Sequence, residues 1–284
     1  MPELPEVETV RRGLEPAMVG AVITGAIARR PDLRFPLPPE FERRLKGAEV
    51  LSLRRRAKYL LCELSTGETL IMHLGMSGRF TVKGARPGRF QADCGADPRH
   101  DHVSFVVSGP MGKATIDYND PRRFGFMDLA PTAELATSLH LVGLGPEPLD
   151  EKFTAEILEA SLKGKAAPAK SALLDQRIVA GLGNIYVCEA LFRAGISPRR
   201  KAGTIGGLRA ARLHGAIRQV LEEAIEAGGS SLKDFAASDG SLGYFQHSFK
   251  VYDREGRPCP ACGASIKRYN QAGRSTFACS NCQR

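Results

Sequence analysis

The spacing of apolar positions changes twice along this chain. Near the start, Val7, Val10 and Leu14 form one stripe at helical spacing and predict a helix over residues 3–20. Pro5 is tolerated there because it falls in the first turn, and Gly13 weakens the middle. From about residue 21 to 130 the pattern shortens to β-type runs. Ala21–Ile27, Glu49–Arg54, Tyr59–Leu64, Thr69–Leu74, Val103–Val107 and Lys113–Tyr118 are each bounded by Gly, Pro, Asp or Asn. Short strands so punctuated predict a sandwich or barrel. Residues 84–101, rich in Gly, Pro, Asp and Arg, read as a long exposed loop.

The Gly/Pro run at 143–148 has no periodicity and reads as a linker. Beyond it the helical period returns at Phe153–Leu162, Ala169–Asp175, Ile185–Ala194 and Thr204–Ala227. Residues 228–250 are Gly/Ser-rich with aromatics, the composition of a mobile loop. The expected fold class is α+β in two domains. A β-sandwich domain with an N-terminal helix spans 1–135, a linker 136–150, a helical domain 151–250 and a cysteine-bearing end 251–284.

Composition narrows the function classes. The 284 residues can bury a sizeable core, and the hydrophobic content of 43% is that of an ordinary soluble protein. No apolar run approaches a membrane span, and acids stand where a signal peptide needs an apolar stretch. A cytoplasmic, reducing location with no membrane partner is expected. The net charge of +9 favours a polyanion, with arginines clustered at 54–56, 122–123 and 199–200. Each cluster alone could equally be a solvated surface.

Four of the seven cysteines lie beyond residue 258, as Cys259-Pro-Ala-Cys262 and Cys279-Ser-Asn-Cys282. Two such knuckles suit one tetrahedral Zn2+, and four thiolates leave no open position, so a single structural zinc is expected. The runs Ser265–Asn270 and Ser275–Ala278 between the knuckles read as a hairpin with Arg274 near its turn, placed to meet a phosphate. Cys62, Cys94 and Cys188 read as buried small hydrophobes.

Four further patterns carry possible chemistry. If Met1 is trimmed, Pro2 presents a secondary α-amine whose pKa of about 8 leaves a useful unprotonated fraction at neutral pH. Such an amine can attack an electrophilic carbon, with Glu3 and Glu6 beside it for proton transfer. The alternative is a stiff, acidic helix start. Asn184, after Gly181-Leu-Gly183, sits where a helix N-cap belongs, and the glycine-lined terminus could hold a phosphate or be an ordinary turn. Lys58 stands where a basic run enters an apolar strand, held near a cleft or snorkelling at the surface. Met76 lies between Gly75 and Gly78 after His73, an apolar wedge of the kind that enters base stacks; Arg122 and Phe124 tip a second turn, Asp120–Gly125.

Together these segments resemble the bacterial formamidopyrimidine-DNA glycosylases (Fpg/MutM). The resemblance rests on Pro2–Glu8, Arg56–Tyr59, His73–Gly78, Asp120–Gly125, Gly181–Tyr186 and the four-cysteine ribbon, in the family's order across the whole chain. It implies a β-sandwich domain, a helix–two-turn–helix domain with a zinc finger, and DNA held between them. It implies a base-excision repair enzyme that removes 8-oxoguanine and formamidopyrimidines and then nicks the strand by β,δ-elimination. By the same resemblance Pro2 is the nucleophile and Glu3 the acid. Lys58, His73, Asn184 and Arg274 grip phosphates around the lesion. Met76, Arg122 and Phe124 fill the void left by a flipped nucleotide, and Glu6 lies near the lesion pocket. Residues 228–250 match a loop that closes over the everted base. The implied partner is double-stranded DNA with oxidised bases or abasic sites, bound by a monomer. The competing readings are an endonuclease VIII-like enzyme for oxidised pyrimidines and a DNA-binding protein without catalysis.

Overall fold

The computed structural model describes residues 2–84, 97–230 and 244–284. The chain divides into two compact units. One is Met1–Val142 with Ala227–Tyr244, and the other is Gly143–Glu226 with Phe245–Arg284. The loop expected at 84–101 and the one at 228–250 fall largely outside the described residues.

The first unit opens with α1 (Leu4–Met18). Its stripe of Val7, Val10 and Leu14 is fully buried, as the helical spacing requires. Then follow β1 (Val22–Ala28), a short α2 (Phe41–Leu45), β2 (Val50–Arg56), β3 (Tyr59–Leu64), β4 (Glu68–His73) and β5 (Arg79–Gly84). After the undescribed stretch come β6 (Asp101–Gly109), β7 (Gly112–Asn119) and β8 (Phe126–Pro131). They form two four-stranded sheets, ordered β1-β6-β7-β5 and β2-β3-β4-β8, with every neighbouring pair antiparallel.

Each sheet gives one face to a shared core. Leu60, Cys62 and Leu64 on β3 enter it at period two, as do Val103, Phe105 and Val107 on β6. The α1 stripe packs into the same cluster. The six expected strands are present within about two residues of their sequence limits. The structure adds α2, β5 and β8, which the spacing of apolar positions does not announce. Each is only five or six residues long. β5 follows directly on the Gly75–Gly78 turn, and β8 on the Asp120–Gly125 turn, so glycine signals masked their starts.

The second unit is helical: α3 (Ala155–Leu162), α4 (Ala169–Leu174), α5 (Asn184–Arg193) and α6 (Leu208–Glu226). It ends in a hairpin, β9 (Lys267–Gln271) and β10 (Arg274–Ala278). The long helix is shorter than the expected 204–227 because Ala202–Thr204 forms a separate 3-10 turn. Cys62 and Cys188 are fully buried, and Cys94 lies outside the described residues.

Candidate active site and nucleic-acid interface

The N-terminus of the first unit is held by its own acids. Pro2 is buried, as are Glu3 and Glu6. Glu3 is the N-cap of α1, and the two glutamates form a capping box. The Glu3 N–H donates to Glu6 Oε2 at 2.8 Å. The other Glu6 oxygen, Oε1, accepts from the Ser230 N–H at 2.9 Å and its hydroxyl at 2.8 Å. Glu6 therefore ties the helix start to a segment 224 residues away in sequence. Gly229 permits that approach, since it has a φ of +80° and a Cβ there would lie 3.3 Å from the Glu6 side chain. One turn on, burial works to raise the Glu8 pKa, yet hydrogen bonds from Arg11 and Arg12 and the charge of Arg55 leave it lowered.

The β2–β3 hairpin carries Lys58 in its two-residue turn, with Ala57 in the left-handed region at φ +51°. The residue is 7% exposed, so the snorkelling alternative is set aside. Tyr59, next in line, pairs with His73 at the end of β4. The His73 ring stacks on Phe126 at 5.3 Å and 12°. Burial, reinforced by the charges of Lys58 and Arg34, pushes its pKa down to about 4. The Gly75 N–H donates to Nδ1 at 3.0 Å. A neutral ring accepting at Nδ1 carries its proton on Nε2, so His73 presents a neutral N–H donor over the physiological range.

Two turns bring the wedge residues together. Met76 is half-buried in the Gly75–Ser77 turn. A Cβ on Gly75 would lie 2.3 Å from backbone atoms of Phe124 and Gly125, so the two turns touch main chain to main chain. Arg122 lies over the Phe124 ring at 4.8 Å, and both are exposed. An open pocket of about 500 Å³ beside them is lined by Asp32, Leu33, Arg34 and Arg122–Phe124.

In the second unit the expectation for Asn184 needs correcting. The N-cap of α5 is Gly183, extended at φ −136°, and Asn184 is the first helical residue. Its side chain is turned away from the capping role: Nδ2 donates to the Ser275 carbonyl at 3.0 Å. The same carbonyl accepts from Lys170 Nζ at 2.8 Å, and that ammonium also donates to Thr276 Oγ1 at 2.8 Å. Two helices are thereby pinned to β10 at the residues just after Arg274. Lys170 has no exposed surface, and burial lowers its pKa. Sequence reasoning missed it because a lysine in an alanine-rich helix carries no motif.

Arg274 is exposed and pairs with Gln271 across the hairpin end. Ala272 and Gly273 between them both have positive φ, 52° and 73°. That is the turn whose twist suits a tight hairpin. The four cysteine sulfurs lie within 4.8 Å of one another. The pairs Cys259–Cys282 and Cys262–Cys279 are separated by 3.8 and 3.4 Å. A tetrahedral site with Zn–S bonds of about 2.3 Å has sulfur–sulfur edges of about 3.8 Å, so the residues fit zinc. Glu189 of α5, fully buried, accepts from the N–H groups of Lys250, Val251 and Tyr252 and anchors the chain entering this ribbon. Among the described residues no helix is long and apolar enough to cross a membrane.

Comparison with known proteins agrees with this arrangement. Residues 1–127 match the formamidopyrimidine-DNA glycosylase N-terminal domain, 144–236 the formamidopyrimidine-DNA glycosylase H2TH domain, and 256–284 a zinc finger found in FPG and IleRS. A Ruegeria pomeroyi protein named formamidopyrimidine-DNA glycosylase is 61% identical over 286 residues, covering all of both chains. The MutM (FPG) crystal structure from Thermus thermophilus is 41% identical, with a TM-score of 0.85 over 99% of this chain and 98% of that one. A Lactococcus lactis FPG mutant was solved with Fapy-dG DNA, at 34% identity and a TM-score of 0.86 over the whole of both chains. The Lactococcus lactis protein was also solved with abasic-site DNA, at the same identity and TM-score over 99% of each chain.

Proposed function

This chain belongs to the formamidopyrimidine-DNA glycosylase family, and from that premise we propose the residue roles by which it works. It is a base-excision repair glycosylase with abasic-site lyase activity, acting on oxidised purines in double-stranded DNA. Support comes from relatives that carry this name and from a neighbour solved on Fapy-dG and abasic-site DNA.

The target base is inside a stack, so it must be everted before chemistry. Met76, Arg122 and Phe124 sit in two touching turns and are assigned to the vacated space. Removal of Met1 frees the Pro2 amine. Its lone pair forms a bond to C1′ as the base departs with the glycosidic electrons. Glu3 gives a proton to the sugar ring oxygen, the ring opens, and an iminium joins Pro2 to C1′. The iminium acidifies C2′–H. Loss of that proton expels the 3′ phosphate, loss of the C4′ proton then expels the 5′ phosphate, and water releases Pro2. No metal or nucleotide cofactor enters these steps.

Lys58, His73, Asn184 and Arg274 are assigned to the phosphates around the lesion. His73 does this as a neutral donor through Nε2, and Arg274 as an exposed bidentate one. Glu6 has both oxygens engaged, one on the helix start and one on Ser230. Its role is thus to hold the acid Glu3 and the 230 segment in fixed relation. Cys259, Cys262, Cys279 and Cys282 would hold a zinc ion, which would cross-link the two knuckles. The loop assigned to lesion capping, residues 228–250, lies for the most part (231–243) outside the described residues. A monomer in the cytoplasm is the simplest state for this work.

The observation that carries the mechanism is the buried Pro2–Glu3–Glu6 start, which sets the Pro2 nitrogen, an amine once Met1 is removed, next to two carboxyls held in a capping box. Borohydride trapping on DNA containing 8-oxoguanine tests it. A covalent adduct on the N-terminal peptide is expected; an adduct on any lysine, or none, overturns it.

A further inference from the structure

Asp120 has no exposed surface, yet it is the point on which both wedge turns converge. Oδ1 accepts from the Ser77 hydroxyl at 2.6 Å, from the turn that carries Met76. Oδ2 accepts from the Gly125 N–H at 2.8 Å, at the end of the turn that carries Arg122 and Phe124. Oδ2 also accepts from the Tyr118 hydroxyl at 3.3 Å. The Ser77 oxygen accepts in turn from the Arg122 N–H at 3.2 Å. The Asp120 carbonyl faces His102 Nε2 at 3.0 Å. Burial, together with the Asp120 charge, holds the Tyr118 phenol far above its usual pKa, so it stays a donor.

The glycines show how little slack this arrangement has. A Cβ on Gly125 would lie 1.8 Å from the Tyr118 hydroxyl oxygen, and one on Gly78 would lie 2.3 Å from it. Neither turn can shift without breaking a bond to a buried carboxylate. Leaving such a group with fewer donors is costly.

We propose that Asp120, with Ser77, is a positioning residue that locks Met76 and the Arg122–Phe124 pair into one rigid wedge, so that duplex opening is selected for by a preformed shape. This rests on the assignment of those three side chains to the void beside a flipped nucleotide. A wedge pays off only if it is stiff, because a side chain free to turn loses entropy on insertion. The clamp touches no reacting atom. Its effect is confined to substrates that must be opened.

The test uses the full chain with Ser77→Ala and Asp120→Asn. Asparagine keeps one acceptor oxygen, so it can serve Ser77 or Gly125 but not both. Two substrates are compared under single-turnover conditions: 8-oxoguanine paired with C in a duplex, and an abasic site in a single-stranded oligonucleotide, which has no stack to open. The expected result is an approximately tenfold loss of duplex excision for each variant, with single-strand nicking within about twofold of wild type. A 2-aminopurine beside the lesion should also brighten more slowly in the variants as the stack opens. Equal losses on both substrates would mean a merely structural role and overturn the proposal. So would an unaltered duplex rate in Ser77→Ala, which removes only a hydroxyl and serves if Asp120→Asn folds poorly. Wild-type protein that forms no borohydride adduct would instead sink the underlying reading, leaving the two failures distinct.

Discussion

The N-terminal helix start and the cysteine ribbon each carry a short sequence motif, and they are supported in different ways. Pro2, Glu3 and Glu6 rest on a helix whose apolar stripe belongs to a core drawn from two four-stranded sheets. The ribbon has two strands of five residues and a small cluster built around Val251, Ile266 and Phe277, with Cys259 and Cys279 themselves part of it. A core of that size cannot offset the entropy of ordering the chain. The first motif is fixed by packing; the second has hydrogen bonds with Lys170, Asn184 and Glu189 and would depend for the rest on the metal its four cysteines fit. Function at the first should survive loss of metal, and position at the second should not.

Removing the metal probes this difference most strongly. Structural zinc contributes on the order of 10 kcal/mol to folding of a finger. Chelation, or Cys279→Ser, should collapse the ribbon and abolish duplex binding at physiological salt, while the melting transition of the sandwich stays in place. Loss of both transitions together, followed by calorimetry and near-UV circular dichroism, would show that the two regions are not held separately.

The reverse experiment acts on the amine. A tag retained ahead of Pro2 should reduce borohydride trapping by about a thousandfold or more while affinity for abasic DNA changes little. If trapping persists, the nucleophile is elsewhere.

A third prediction concerns His73 in the first region. Its folded pKa of about 4 lies below the ordinary histidine value of 6.5. The unfolded chain therefore binds the extra proton first, and stability is lost as pH falls from 6.5 towards 4. The shift corresponds to roughly 3 kcal/mol. In His73→Gln the fall in stability over that window should be shallower. An NMR titration of His73 with a midpoint near 6.5 would refute the buried neutral ring.

The smallest effect is expected at the exposed end of the ribbon. Arg274→Ala should weaken binding to undamaged duplex and reduce the magnitude of the salt slope by about one. A salt slope equal to that of the wild type between 50 and 200 mM, a range over which the Debye length falls from about 14 to about 7 Å, would remove Arg274 from the phosphate contacts.

Much of this molecule is readable along the chain. Strand β3 was legible residue for residue, since alternation of Leu60, Cys62 and Leu64 is a local property. The cysteine knuckles were equally plain, because thiolates two residues apart converge on one point by local geometry. Strands β5 and β8 were hidden, as each is a strand only through its partner; β8 exists because Phe126–Pro131 pairs with His73–Glu68. Asn184 was placed one residue early, at the cap, because its true partner, the Ser275 carbonyl, is 91 residues away. Lys170, the Glu6–Ser230 link and the Asp120 clamp were also out of reach of any local rule.

The sequence by itself determined the periodic elements, the metal ligands and the chemical types at the reactive end, because these depend on spacing within a turn or two. Tertiary structure alone decided which donors meet each buried acceptor. Ser77 lies 43 residues from Asp120 and Lys170 lies 105 from Ser275. A hydrogen bond is satisfied by distance in space, to within a few tenths of an ångström, and folding sets that distance.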